Sequence, residues 1–173
     1  MAVFVALLRA INVGGTGKLL MSELTALCEE AAFTEVKTYI QSGNVVFKTR
    51  LSEAKARATL EKALSKKLGI PASVVLRSAD QLEALLDQNP FKEQPPNRVL
   101  VLFMNEAPAA KAVSALVSPD GEQLHLAGQD LFIYYPNGSG RSKLKLPFVK
   151  AGTARNVNTV TKLAGMARAI TGG

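Results

Sequence analysis

Apolar runs and amphipathic stretches alternate along the first 77 residues in an order typical of mixed α+β domains. Val3–Leu8 is a continuous apolar run, which predicts a strand buried on both faces. The following segments predict a helix capped by Ser22, a hairpin of Val36–Ile40 and Val45–Phe47, a helix opened by Ser52 and ended by Gly69, and a strand at Ala72–Leu76. The resulting order, β-α-β-β-α-β, is that of a ferredoxin-like half.

A similar pattern recurs after a bridge at residues 78–97, where Ser78 and Gln81 fit a capping box and Pro95 and Pro96 mark a linker. The second half, residues 98–173, has these predicted elements: a strand at Val99–Phe103, a helix at Pro108–Val117, a hairpin of Gln123–Ala127 and Leu131–Tyr135, a basic segment at Asn137–Asn156 and a helix from Asn158 to Ile170. We therefore predict an α+β protein of two ferredoxin-like (βαββαβ-type) halves with mainly antiparallel sheets, an arrangement that suggests internal duplication.

Charge is distributed unevenly along the 173 residues, which carry a formal net charge of +7. Residues 131–173 contain seven Lys or Arg and no Asp or Glu, whereas the residues before them contain fourteen basic and fourteen acidic side chains. A neutral body with a basic final quarter indicates a surface for an anion such as a phosphate, a nucleotide or a nucleic acid.

The loop after the first strand is one candidate for an anion site. Its glycines, Gly14 and Gly15, would let backbone N–H groups face an anion, and Arg9 and Lys18 would neutralise its charge, with Asn12 between them. The loop matches neither a P-loop nor a dinucleotide-binding fingerprint, because Leu follows Lys18 and G-x-G-x-x-G is absent. The alternative is that the glycines only permit a turn.

A second candidate is the turn Gln41-Ser42-Gly43-Asn44. Strands one and three are neighbours in a ferredoxin-like sheet, so Gln41 and Asn44 would lie beside the Arg9 loop. An arginine next to an asparagine is also how acylphosphatases hold a phosphate, although their loop sequence is absent here. The alternative is an ordinary hairpin turn, which Ser-Gly and Gly-Asn pairs favour.

The closing quarter supplies the third set of candidates. Arg155 directly precedes a predicted helix, where a cation opposes the helix dipole unless an anion is bound between them. Asn156 and Asn158 fit either this site or the N-cap of that helix. Arg141 and Lys143, with Lys145, would share one face of an extended segment, and the alternative there is a solvated surface.

Other chemistry finds little support in the sequence. His125 is the single histidine and alternates with leucines as a surface strand residue does, while Cys28 lies on an apolar helix face. Neither a zinc-binding spacing nor a Ser-His-Asp arrangement is present, so we expect no metal and no cofactor. One cysteine and the lack of a membrane-spanning run predict a cytoplasmic protein that has no membrane partner.

Two stretches, Leu7–Gly15 (LLRAINVGG) and Thr38–Phe47 (TYIQSGNVVF), closely resemble a bacterial family catalogued as domain of unknown function sixteen ninety-seven. The likeness continues through three further stretches: Asn89–Phe91, Tyr135–Gly138 and Thr153–Leu163. It departs at Ala10, where the family usually has glycine, and at Val157, where it usually has tryptophan. The resemblance implies a two-part α+β fold, typically cytoplasmic, without an established activity.

Together these patterns lead to one functional hypothesis, a nucleotide or nucleic acid bound in a basic groove between the halves. Its first wall would comprise Arg9, Asn12, Gly14, Gly15 and Lys18, with Gln41 and Asn44 beside it. Its second wall would comprise Arg141, Lys143, Arg155, Asn156 and Asn158. One alternative is a small enzyme acting on acyl phosphates or nucleotides, in which Arg9 binds the phosphate and Asn44 positions a water. Another is a protein-interaction scaffold.

Overall fold

The described part of the chain comprises residues 1–9, 19–39, 43–69, 71–116, 118–146 and 152–171 of a computed structural model, without the side chain of Arg141. It divides into two units, Met1–Leu82 with Lys162–Gly173, and Glu83–Thr161. Each unit builds one four-stranded sheet, and every strand pair is antiparallel. The predicted α+β class with two halves and antiparallel sheets is confirmed.

The first unit has the ferredoxin-like order predicted from its sequence. Its elements are β1 (Ala2–Arg9), α1 (Met21–Glu30), β2 (Thr34–Thr38), β3 (Asn44–Thr49), α2 (Glu53–Leu68) and β4 (Ser73–Ser78). The strands lie in the order β2-β3-β1-β4. The interior of β1 is buried on both faces from Val3 to Leu8, which is why its sequence is continuously apolar.

One face of this sheet is covered by α1 and α2. Buried side chains of the helices, including Leu24 and Leu60, pack with Phe47 of β3 in one apolar core. Ser52 caps α2, since its hydroxyl accepts a hydrogen bond from the amide of Lys55 at 3.3 Å. Gly69 ends the helix in the left-handed region at φ 71°, as predicted.

The start of α1 differs from the prediction that Ser22 caps it. The helix begins at Met21, so Leu20 occupies the N-cap position. Leu20 has no polar side chain to offer, and the carboxylate of Glu23 accepts the hydrogen bond of the Leu20 amide at 3.1 Å instead. The carboxylate thus makes the reciprocal half of a capping box, in which the N3 side chain accepts from the N-cap amide, while Leu20 offers the helix amides no side-chain acceptor.

The bridging helix and the second unit follow. Their elements are α3 (Ala79–Asp87), β5 (Val99–Met104), α4 (Ala110–Ser114), β6 (Gln123–Ala127), β7 (Asp130–Tyr134), β8 (Gly152–Asn156) and the start of α5 (Val157–Thr171), a helix that belongs to the first unit from Lys162 onward. The strand order is β6-β7-β5-β8. The helix predicted at Pro108–Val117 is shorter than expected, and the basic segment contains a strand, β8, that the sequence did not predict. The described residues between β7 and β8 form a 3-10 turn and an extended stretch rather than a second covering helix.

Equivalent positions of the two sheets carry matching residues, which supports an internal duplication. Arg77 of β4 lies opposite Val5, and Arg155 of β8 lies opposite Val101 in the corresponding central strand. Both arginines are buried, and each donates from Nη1 to the carbonyl oxygen of the preceding residue, at 2.7 Å and 2.9 Å. Each of the two final strands also runs directly into a helix.

Candidate anion-binding residues

The predicted site residues fall partly inside the described chain. Arg9, Asn44, Lys143, Arg155, Asn156 and Asn158 are described in full. Asn12, Gly14, Gly15, Lys18 and Gln41 lie outside the described residues, and Arg141 is described by its backbone alone, in the 3-10 turn Ser139–Arg141. The two walls of the hypothesis belong to different units.

In the first unit, the ends of β1 and β3 lie side by side, as predicted. The amide of Leu8 donates to the carbonyl oxygen of Gly43 at 2.9 Å. Gly43 has φ +79°, and a Cβ added there would lie 2.9 Å from the Cβ of Leu8, so this close approach requires glycine. Arg9, half-buried at the end of β1, is thereby placed near the hairpin.

Asn44 supports the hairpin itself. Its side chain is fully buried, and its Nδ2 donates to the carbonyl oxygen of Tyr39 at 3.0 Å across the turn. A buried amide that holds two strand ends together fits the turn interpretation of this segment. It gives no support to a role for Asn44 in positioning a water at the surface.

The N-terminus of α1, the helix that follows the predicted anion-binding loop, faces a carboxylate of the same chain. Glu23 in its first turn accepts hydrogen bonds from the Leu20 amide and from Lys67, whose Nζ lies 2.8 Å away. The hydrogen bond from Lys67, then that from Leu20, holds the pKa of Glu23 below its usual value. The dipole end is therefore neutralised by the chain's own acid.

Arg155 lies in a different setting from the one expected. It belongs to β8 rather than to a loop, and its side chain is buried on the sheet. Its Nη1 donates to Thr153 Oγ1 at 2.6 Å and to the carbonyl oxygen of Ala154 at 2.9 Å. Burial lowers the pKa of the guanidinium to about 10, so the group stays charged at neutral pH. The charged guanidinium thus has hydrogen-bond acceptors within its own strand.

Asn156 is the N-cap of α5. Its Oδ1 accepts a hydrogen bond from the amide of Thr159 at 2.9 Å, three residues into the helix. Asn158 lies one residue inside the helix and is exposed. The structure thus supports the capping interpretation for Asn156 and leaves Asn158 on the surface.

Replacing Asn156 with alanine should lower the free energy of unfolding by about 1 kcal/mol, because the Thr159 amide loses its partner. Urea titration followed by circular dichroism measures the change. The matched control is Asn158→Ala, which should stay within about 0.5 kcal/mol of the parent protein, as exposed substitutions usually do. Equal losses in the two variants would contradict the capping role.

In the second unit, residues 142–146 form an extended stretch that points its lysines outward. Leu144 and Leu146 are half-buried against the core of this unit, while Lys143 and Lys145 between them are exposed. Both lysines are thus exposed in a stretch that belongs to neither sheet, and the shared face with Arg141 stays a prediction.

Two carboxylates brace the same stretch. Asp120 Oδ2 accepts a hydrogen bond from the Lys143 amide at 3.2 Å, and Glu122 Oε1 accepts one from the Ser142 hydroxyl at 3.1 Å. Because these acids bind the backbone and a hydroxyl, they fix the segment without covering the lysine ammonium groups. Sequence reasoning missed this bracing because the residues involved lie about twenty positions apart and share no motif.

The remaining candidates hold the places that the sequence suggested. His125 is exposed on β6, and Cys28 is fully buried, which raises the pKa of its thiol to about 12. No cluster of three or more His, Cys, Asp or Glu able to hold a metal occurs among the described residues. In that same part of the chain, every helix is too short or too polar to cross a membrane.

Comparison with known proteins places the chain among proteins without an assigned activity. No curated protein matches the sequence. A solved structure, the conserved bacterial protein SP0830 from Streptococcus pneumoniae, is similar at 28% identity and a TM-score of 0.81, over 96% of this chain and 98% of that one. The model of the protein family of unknown function DUF1697 matches residues 1–132. The chain therefore belongs to the DUF1697 family, as its two sequence signatures indicated.

Proposed function

We propose that the protein binds an anionic ligand, a nucleotide or a nucleic acid, through the basic stretch 141–145 of the second unit. The observation that carries the proposal is the exposed pair Lys143 and Lys145, two residues apart on a segment that Asp120 and Glu122 hold by hydrogen bonds. Within the described residues neither lysine forms an ion pair, so both charges are available to a phosphate. A fixed spacing of cations on an extended backbone suits the repeated phosphates of a single strand.

Charge neutralisation favours the same conclusion. The final quarter of the chain carries the whole formal excess of +7, and counterion release from a polyanion rewards such clustering. The proposal rests on the second unit alone, while the contribution of Arg9 and of the loop after it stays a prediction. A cytoplasmic location belongs to the proposal as well, supported by the single cysteine, Cys28, which leaves the chain without an internal disulfide.

Titration of labelled single-stranded RNA and DNA at several salt concentrations tests the proposal. Affinity should fall linearly with salt on logarithmic axes. Lys143→Gln/Lys145→Gln should reduce the slope of that line by about 1.4, because each lysine that neutralises a phosphate of a single strand accounts for about 0.7. At low salt the double variant should bind about tenfold more weakly, a difference of about 1.4 kcal/mol.

The matched control changes another pair of exposed lysines, Lys62→Gln/Lys66→Gln on α2, and should leave nucleic-acid binding unchanged. Equal losses of affinity from the two pairs would show that binding is not specific to residues 143 and 145. An affinity that does not depend on salt concentration would contradict binding to a polyanion. A parallel thermal-shift series with nucleotides separates a mononucleotide from a strand, because only a bound ligand raises the melting temperature.

A further inference from the structure

A groove runs between α1 and α2 on the surface of the first unit. Its volume is about 730 Å³, against about 510 Å³ for each of two other pockets in the described residues. The floor is apolar and half-buried, formed by Leu27, Ala31 and Ala63. Leu27 and Ala31 also pack against the core beneath, so the floor is fixed in place.

The wall contributed by α2 is strongly basic. Lys62, Lys66 and Lys67 line it, and on the opposite wall Glu30 is the acidic lining residue. Lys67 is already paired with Glu23 at 2.8 Å. Lys55 continues the line of Lys62 and Lys66 along α2, because positions i, i+7 and i+11 share a helix face. The basic stripe is therefore about 16 Å long, or three helical turns.

This stripe costs the protein stability. Lys62 and Lys66 stand four residues apart on one helix, a spacing at which like charges repel by a few tenths of a kcal/mol. Neither forms an ion pair with a described carboxylate. The adjacent acid, Glu61, is turned away, since its carboxylate accepts a hydrogen bond from the Val74 amide at 2.9 Å. Unfavourable local arrangements of this kind, with no compensating contact in the described part of the structure, are typical of functional surfaces.

We propose that this groove binds an acidic amphipathic helix of a partner protein. Apolar side chains of the partner would contact Leu27, Ala31 and Ala63, and its carboxylates would meet Lys62 and Lys66, in the helix-in-groove mode of recognition. Charge complementarity favours this occupant: two copies meeting groove to groove would set lysine against lysine with Glu30 as the acidic lining residue of each groove, and a nucleic acid has no aliphatic side chains for the floor. The inference goes beyond the proposed function, because it concerns the first unit and a protein partner.

Fluorescence anisotropy with a designed peptide tests the inference on the full-length protein. The probe is a labelled four-turn helix with leucines at i, i+3, i+4 and i+7 spacing and glutamates on both flanks. Lys62→Glu/Lys66→Glu should weaken its binding at least tenfold. Lys143→Glu/Lys145→Glu, with the same charge change in the second unit, should not alter it. A scrambled peptide of equal composition should bind at least tenfold more weakly than the amphipathic one. Thermal unfolding of each variant confirms that it is folded.

Three outcomes would overturn the inference. Equal binding of the scrambled peptide would show a non-specific basic surface, and unchanged binding by Lys62→Glu/Lys66→Glu would place the peptide elsewhere. Self-association in sedimentation that this variant abolishes would make a second copy the occupant. Titrating single-stranded DNA against the same two variants tests the proposed function separately. If neither variant changes DNA binding, the proposed function fails while the peptide result still stands.

Discussion

Replacing Gly152 with alanine is expected to lower the free energy of unfolding by about 3 kcal/mol, the upper part of the usual range for overpacking. Gly152 begins β8 opposite Met104 of the central strand. A Cβ added there would lie 2.6 Å from the carbonyl oxygen of Phe103 and 2.9 Å from Cγ of Met104. The carbonyl belongs to the central strand and has no rotamer to change, so β8 itself must move away and weaken its pairing with β5.

Gly165→Ala is the matched control for this substitution. Gly165 lies inside α5, is exposed and has no atom within 4 Å of an added Cβ. The same change should therefore raise the free energy of unfolding by about 0.5–1 kcal/mol, through the better helix propensity of alanine. Urea titrations of both variants measure whether the free energy of unfolding falls or rises in each. A loss below about 1 kcal/mol for Gly152→Ala would show that β8 tolerates a side chain at this position.

The elements of the first unit could be predicted because each is determined by residues close together in the sequence. The run Val3–Leu8 is apolar at every position, and Ser52 and Gly69 mark the ends of α2 by chemistry that acts within one turn. The interlocking bonds of Ser78 and Gln81, at 2.8 Å and 3.1 Å, likewise follow the predicted capping box. Signals of this kind need no knowledge of distant residues.

The strand β8 could not be predicted for the opposite reason. Its five residues, Gly152–Asn156, contain one apolar side chain, Ala154, and that side chain is exposed. The strand exists because its backbone pairs with residues about fifty positions earlier, in β5. Without β8, the sequence predicts Arg155 in a loop before a helix, where a cation opposes the helix dipole unless an anion is bound. On the strand, the same guanidinium is buried and hydrogen-bonded to Thr153.

The candidate site, too, has features that follow from local sequence and others that depend on tertiary contacts. The alternation of Lys143 and Lys145 with leucines predicted a shared face, and the structure shows both lysines exposed. Asp120 and Glu122 hold the segment through tertiary contacts, which no sequence pattern predicts. The net charge of the first 130 residues does not predict the basic stripe of α2, because it is zero in sum and does not show how charge is arranged on one helix.

Replacing Phe47 with alanine should produce the largest loss of stability in the first unit, about 4 kcal/mol in the free energy of unfolding. The ring is fully buried in β3. It stacks on Phe33 with ring centroids 4.2 Å apart and lies 6.2 Å from the ring of Phe4. Truncation removes the buried apolar area, leaves a cavity between the sheet and α2, and ends both ring contacts.

Phe47→Leu provides the size-graded control, with an expected loss of about 1.5 kcal/mol, because leucine fills much of the same volume without the stacking contact. Urea titration gives both values, and an unchanged denaturant dependence would show that the loss comes from the native core. Since Phe47 joins the sheet to α1 and α2, its truncation should also weaken peptide binding in the groove between those helices. A fully stable Phe47→Ala variant would contradict the packing of this core and, with it, the rigid floor on which the proposed helix docks.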